Sequence, residues 1–417
     1  MRLWSYARML RRLLATVAAV ASLALSLSAV VAPAALAATP ANDPFYTPPD
    51  PLPSTEPGAL IRYRQSTFTL DPIARTPVPG VRAWQVLYTS RTALGKPMAV
   101  SGTVLVPSSP WRGSGPRPLV TYGVGTRGVG DSCAPSYTLS RGTDYEGLFI
   151  KAALARGFAV AVSDMRGLGT PGLHTYEVGR EQGTALLDAA RAALRLPGTG
   201  LAAKAPIGII GYSQGGTSAG WAAQLARSYA PELDVKGVAA GGVPADLERV
   251  ASYLDGGPFV AFALLAALGY DAAYPELRLD TYLNARGRDL LARSSDLCLV
   301  SLDGIGTFLR VAFTHIDDYV TTNPLGTPAW QARLRENRLG ATKPAAPVLL
   351  YHGGIDEIIP IDQARTLRSE WCRLGGRVTW RVYPLAEHAL GLAVGAKPAL
   401  DFLEATLARG AVPPGNC

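Results

Sequence analysis

The run Ile207-Gly208-Ile209-Ile210, followed by Gly211-Tyr212-Ser213-Gln214-Gly215 and then by a helix-like stretch from about Thr217 to Ala230, constrains the fold more than any other segment. A short continuous apolar run reads as a strand buried on both faces, which belongs in a parallel sheet covered by helices. The G-x-S-x-G turn sends the chain straight from that strand into a helix. Its glycines, two residues either side of Ser213, leave room for strand and helix to approach. A serine in so tight a turn is held in strained backbone angles. Its hydroxyl is lifted clear of the sheet edge, with the next backbone N–H at a helix start. Ser213 is therefore a candidate nucleophile; the competing reading is an ordinary strand–helix turn.

The rest of the chain repeats this alternation from about residue 95. Strands are expected at Ala99–Val106, Pro118–Gly123, Phe158–Ser163, Ile207–Gly211, Lys236–Ala240, Pro347–Tyr351 and Val378–Tyr383. Helical spacing falls at Tyr145–Arg156, Gly179–Arg195, Ser218–Tyr229, Asp362–Leu374 and Lys397–Ala408. Strands alternating with helices predict an α/β fold with a mostly parallel sheet and helices on both faces. Between about Leu247 and Thr342 the strand signals stop, while Phe259–Leu268 and Ile305–Phe313 are apolar and helical. So long a stretch does not stay structureless in a compact domain. It reads as a helical cap, 247–342, that divides the core into 38–246 and 343–417. The Pro-rich Asp43–Pro57 segment reads as an extended arm on the surface.

Residues 1–37 read as a removable leader. Arg2, Arg8, Arg11 and Arg12 precede an apolar stretch from Leu13 to about Val31, and Ala35-Leu36-Ala37 offers a small-x-small cleavage site. An uncleaved anchor is the alternative. Loss of these four arginines lowers the formal charge from +8 to +4. The remaining basic residues are scattered among acidic ones, which argues against a nucleic-acid partner. No protein partner is evident. Four cysteines in an exported chain suggest two disulfides. Three pairings of Cys133, Cys298, Cys372 and Cys417 are open. The favoured one joins Cys133 to Cys298 and Cys372 to Cys417, the latter tying down a tail that would otherwise fray. No Cys-x-x-Cys or histidine pair accompanies them, so no metal is expected.

A serine hydroxyl needs a base within hydrogen-bond reach and a carboxylate to orient that base. The chain has four histidines. His388, in Tyr383-Pro384-Leu385-Ala386-Glu387-His388, follows the last expected strand and is the candidate base. His352 reads as a packing residue, and His174 and His315 as surface or supporting residues. Asp356, just past the penultimate strand, is the candidate acid. Of its rivals, Asp362 fits a helix N-cap and Glu357 a solvent-facing loop, while Glu387 points away from the adjacent His388. The order Ser213, Asp356, His388 is that of an α/β-hydrolase. An oxyanion would need two donors. These are the backbone N–H of Gln214 and a group from Gly123-Val124-Gly125-Thr126-Arg127-Gly128, with Thr126 singled out. A phosphate-binding turn is the rival for that loop, but no Gly-Lys-Ser/Thr follows it. Asp164-Met165-Arg166-Gly167-Leu168-Gly169 reads as a structural turn at the pocket rim.

Several less generic motifs carry a resemblance. They include Asp43-Pro44-Phe45-Tyr46-Thr47, Cys133-Ala134-Pro135-Ser136-Tyr137, Ser228-Tyr229-Ala230-Pro231-Glu232-Leu233 and Leu254-Asp255-Gly256-Gly257-Pro258-Phe259. With Asp356-Glu357-Ile358-Ile359-Pro360 and the His388 motif, the chain resembles the secretory lipase family, the group typified by Candida antarctica lipase A. The resemblance runs from about Asp43 to the C-terminus. It implies an α/β-hydrolase core under a helical cap, hydrolysis of carboxylic esters including triacylglycerols, and no cofactor. It supports Ser213, Asp356 and His388 at these positions and a Cys133–Cys298 disulfide. Two substitutions depart from that type: Gln214 replaces a glycine, which a backbone donor tolerates, and Thr126 replaces an aspartate of the oxyanion loop. The C-terminal tail is also shorter, which reduces any flap over the pocket and bears on interfacial activation and long-chain preference.

The expectation is thus an exported serine ester hydrolase of lipase type, acting on a lipid or ester at a lipid–water interface. Pro258–Leu268 and Ile305–Phe313 are candidates for lining an acyl pocket. The alternatives are an acyltransferase using the same acyl-enzyme, and a lipid-binding protein on an inactive hydrolase scaffold.

Overall fold

The computed structural model describes residues 38–408, 410 and 412–417; the expected leader lies outside them. Nine strands are described: β1 (Leu60–Ser66), β2 (Val81–Arg91), β3 (Pro97–Pro107), β4 (Leu119–Gly123), β5 (Ala159–Ser163), β6 (Ile207–Tyr212), β7 (Val235–Gly241), β8 (Val348–Gly353) and β9 (Val378–Tyr383). They form one sheet in the order β1-β2-β3-β5-β4-β6-β7-β8-β9. The six strands β5-β4-β6-β7-β8-β9 run parallel to one another, and β1 to β3 add an antiparallel edge that pairs with β5. This is the α/β architecture expected from the sequence, and each of the seven expected strands lies on one of β3 to β9.

The central strands are apolar throughout because both faces are covered. Leu119 and Ile209 join a core beneath α3 (Gly179–Arg195), α4 (Gln214–Tyr229) and α10 (Ile361–Arg373). The neighbouring Val120 and Ile210 join a second core beneath α1 (Pro135–Arg141), α2 (Gly147–Ala155) and α11 (His388–Ala408). Alternate residues of each strand thus serve opposite layers.

Strands β1 and β2 escaped the sequence reading. The first is an edge strand with Tyr63, Arg64 and Gln65 exposed. The second buries Gln85, whose amide donates to Tyr46 Oη at 3.1 Å and the Ser136 carbonyl at 2.8 Å, so its polarity is met by distant residues. Those bonds also anchor the arm at Asp43–Pro57, most of which lies at the surface as expected. Phe45 and Tyr46 are buried against Leu87, and Tyr46 lies 2.9 Å from Ser136 Oγ.

Between β7 and β8 the chain passes through α5 (Leu247–Leu254), α6 (Val260–Ala273), α7 (Ala285–Ser294), α8 (Leu302–Val311) and α9 (Pro328–Glu336). These helices pack small apolar cores of their own, one around Tyr270, Tyr274 and Trp330, another around Val260, Val311 and Tyr319. Disulfides join Cys133 to Cys298 and Cys372 to Cys417, with Cα separations of 5.3 and 5.6 Å. The first ties the start of α1 to the helical stretch. The second holds the C-terminal segment along β9, where Asn416 bonds the backbone of Val378 and Trp380.

Candidate active site

Ser213 occupies the one-residue link between β6 and α4 with φ 59° and ψ −123°, a left-handed conformation that a side-chain-bearing residue adopts only under constraint. The constraint comes from packing on both sides. The Ser213 N–H donates to the Gly241 carbonyl at 3.0 Å, and the Ser213 carbonyl accepts from Thr217 N–H at 3.0 Å. A Cβ on Gly215 would overlap the Gly123 carbonyl, so the first turn of α4 lies directly against the end of β4.

His388 and Asp356 reach this serine from the ends of neighbouring strands. His388 opens α11, five residues after β9, and its Nε2 lies 2.9 Å from Ser213 Oγ. Its Nδ1 lies 2.8 Å from Asp356 Oδ2, in the loop after β8. The other oxygen of Asp356 accepts from the N–H groups of Ile358 and Ile359 at 3.0 and 2.7 Å. Burial raises the Asp356 carboxyl, but its hydrogen bond to His388, the nearby charges of His388 and His352, and the Ile359 N–H outweigh burial and hold it below the usual carboxylate range. Tyr212 Oη donates to the His388 carbonyl at 2.7 Å and fixes the start of α11.

The competing residues are placed elsewhere. Glu357, expected to face solvent, is half-buried and accepts the His388 N–H at 3.0 Å. Asp362, expected as an N-cap, lies inside the first turn of α10 behind Pro360 and pairs with Arg249 at 3.2 Å. Glu387 accepts from Ala389 and Leu390 N–H at the start of α11. His352 is fully buried; its Nε2 donates to the Ile359 carbonyl at 2.9 Å and lies 3.4 Å from Asp356. His315 is exposed beside Asp255. Asp164 is buried, accepting from Ser101 and Ser136, as a structural turn requires.

Of the two roles expected for His174, surface or supporting, the structure places it in the second: the ring is buried. Burial pushes it down to about 4, so the ring is neutral at neutral pH. Its Nε2 lies 2.8 Å from the Gln214 side-chain amide nitrogen and its Nδ1 lies 2.6 Å from the Arg166 carbonyl. Only a proton on Nδ1 satisfies both contacts: Nδ1–H donates to Arg166 and Nε2 accepts from Gln214. This buried imidazole orients Gln214, the first residue of α4. Thr126 is buried with its hydroxyl 2.8 Å from Tyr176 Oη, and its carbonyl accepts from Tyr145 Oη at 2.8 Å. Among the described residues, no hydrogen bond engages the backbone N–H of Gln214 or of Thr126.

Ser213 opens into a cleft of about 410 Å³ lined by Tyr176, Glu177, Leu247, Val250, Phe262 and Ile359. A larger apolar cleft of about 810 Å³ lies across α6, walled by Leu265, Leu268, Leu290, Phe308 and Val311. Ser213 does not line it. Of the two segments expected to line an acyl pocket, Pro258–Leu268 contributes to both clefts, whereas Ile305–Phe313 lines only the larger one.

A profile of the secretory lipase family matches residues 134–412. The chain belongs to the secretory lipase family. It is similar, at 31% identity over 82% of its length and 73% of the relative's, to a secreted triacylglycerol lipase of Malassezia furfur. It is equally similar, at 31% over 84% of its length and 78% of the relative's, to a protein of Mycobacterium tuberculosis described as a probable inactive lipase. The structure of Candida antarctica lipase A in its closed state superimposes with a TM-score of 0.80 at 28% identity, covering 91% of this chain and 89% of that one. This secretory lipase therefore has the α/β-hydrolase fold and is a carboxylic ester hydrolase of a secreted family, as its motifs implied. Among the described residues no helix is long and apolar enough to cross a membrane, and no cluster of potential ligands could hold a metal ion.

Proposed function

We propose that this secretory lipase hydrolyses carboxylic esters, triacylglycerols among them, through an acyl-enzyme on Ser213. The observation that carries the reading is the unbroken series of contacts from Ser213 Oγ through His388 to Asp356, at 2.9 and 2.8 Å, on a left-handed turn at a helix N-terminus. His388 Nε2 takes the proton of Ser213 as Oγ attacks the ester carbonyl, then returns it to the departing alcohol. Water, activated by the same imidazole, releases the acid. Asp356, held ionised, keeps the His388 proton on Nδ1 and stabilises the imidazolium. The unengaged N–H groups of Gln214 and Thr126 are the proposed donors to the oxyanion.

The stretch 247–342 serves as the cap, and the cleft between α5, α6 and the Ile358-Ile359 loop receives the substrate beside Ser213. Leu302, Ile305 and Leu309 present an exposed apolar stripe on the outer face of α8, which fits a chain that meets a lipid–water interface. Residues 1–37 direct export and are removed near Ala37.

The test is a fluorophosphonate probe on the folded protein. Wild type should label on Ser213 with loss of esterase activity, and Ser213→Ala should neither label nor hydrolyse p-nitrophenyl esters while keeping its Tm. A folded wild type that resists the probe would support the inactive scaffold, a relevant comparison given the relative described as inactive.

A further inference from the structure

Glu177 is a buried carboxyl, 3% exposed, on the wall of the Ser213 cleft, where every other lining residue except Tyr176 and Ser213 is apolar or proline. One carboxyl oxygen accepts from Thr217 Oγ at 2.6 Å. Thr217 lies one turn into α4 and donates its own N–H to the Ser213 carbonyl, so Glu177 is tethered to the helix that carries Ser213. Among the described residues, no cation pairs with Glu177, and no hydrogen bond reaches its other oxygen. Glu177 lines the cleft, and among the described residues this second oxygen is left there without a partner. Glu177 also has φ 59°, a left-handed conformation that a glutamate does not favour. A strained backbone and an uncompensated carboxyl at an apolar site both work against stability, the combination found where a residue is retained for function.

We propose that Glu177 recognises a hydroxyl group carried by the substrate close to its scissile carbonyl, so that the site takes hydroxyl-bearing esters in preference to purely hydrocarbon ones. The proposal rests on the reading of Ser213 as nucleophile and adds the class of ester. Burial pushes the Glu177 carboxyl up to about 7, against a smaller lowering by the Thr217 bond, so both protonation states are present near neutrality. Either state pairs with a hydroxyl: the carboxylate accepts, and the acid accepts or donates. A bare hydrocarbon chain would instead strip water from the open oxygen and leave it unpaired. Sites that hydrogen-bond a substrate hydroxyl discriminate strongly against the analogue lacking it.

The hydroxyl can belong to the acyl or to the alcohol part, and matched ester pairs separate the two. p-Nitrophenyl 3-hydroxybutyrate against p-nitrophenyl butyrate reads the acyl side; 1-monobutyrin against propyl butyrate reads the alcohol side. Wild type should favour the hydroxylated ester by about tenfold or more in kcat/KM in one pair. Glu177→Leu should lower that ratio at least about tenfold, and Glu177→Gln should keep most of it. Glu177→Ala takes the place of Glu177→Leu should the latter not fold. Ratios within one preparation do not depend on the folded fraction. Ratios near one in wild type for both pairs, or a ratio unchanged within twofold in the truncated variant, would overturn the proposal while fluorophosphonate labelling left the Ser213 reading standing. Absence of both label and turnover would overturn the two together.

Discussion

Ser213 and Glu177 share a left-handed φ of 59°, which costs a non-glycine residue about 1–3 kcal/mol and persists only where the surroundings impose it. At Ser213 the strand–turn–helix motif announces the turn in the sequence, although the neighbours that impose it, Gly241 at the end of β7 and Gly123 at the end of β4, are distant along the chain. Asp356 and His388 were legible for a different reason: each lies in the first loop after a strong apolar strand, in the chain order that an α/β-hydrolase requires. Asp356→Asn should lower kcat roughly 10⁴-fold, because the amide holds the wrong histidine tautomer. Glu357 cannot substitute, since its carboxylate is engaged with the His388 backbone rather than its ring. A fall of less than about tenfold in steady-state ester hydrolysis would remove Asp356 from the proposed triad. Glu177 was not legible as a site residue, and His174 was read only as a surface or supporting residue. Their roles come from partners about forty residues away, Gln214 and Thr217, and no spacing in Leu173-His174-Thr175-Tyr176-Glu177 announces such contacts.

α11 shows how an element can be misjudged from local signals. Its expected start, Lys397, lies well past the observed one at His388, because Gly391, Gly395 and Pro398 look like breakers. Tertiary packing reverses their meaning. A Cβ on Gly391 would overlap Tyr212 Oη, the hydroxyl that holds the His388 carbonyl, so the glycine lets α11 approach the sheet closely enough to deliver its first residue to Ser213. Gly391→Ala should therefore lower kcat by about tenfold or more through a displaced imidazole while KM for a small ester changes little. Unchanged kcat in a folded variant would show that Tyr212 yields without moving His388. Strands β1 and β2 were missed for a related reason. Edge exposure in one, and buried polar groups satisfied across the molecule in the other, erase the apolar run by which β4, β5 and β6 are recognised.

At the scale of the molecule, covalent ties and buried charge set the response to conditions. The Cys372–Cys417 bond closes a 45-residue separation and holds the C-terminal segment over the open edge of β9. Chain entropy assigns such a closure about 4 kcal/mol, so Cys372→Ser with Cys417→Ser should lower Tm without abolishing labelling of Ser213; an unchanged Tm in a scanning calorimeter would show that the bond adds nothing. The pH dependence follows from carboxyls buried without full compensation. Burial pushes Asp164 up to about 6 and Glu177 up to about 7, and also raises Glu181 and Asp188. Over the interval from the unfolded carboxyl value, near 4, to these folded values, the folded chain retains protons that the unfolded chain has released. Stability contributed by these groups is thus fully present at the acid end, falls as pH rises toward about 7, and changes no further above it. Asp356 acts in the opposite sense, losing its contribution as pH falls through its lowered value. Glu177→Gln removes one titrating group and keeps its shape, so the Tm of this variant should fall less than that of wild type between pH 5 and pH 8. The difference should approach about 3 kcal/mol in unfolding free energy, the equivalent of the Glu177 shift. Parallel Tm curves for the two proteins across that interval would mean that Glu177 is ionised throughout, and that the cleft beside Ser213 hydrates its carboxylate.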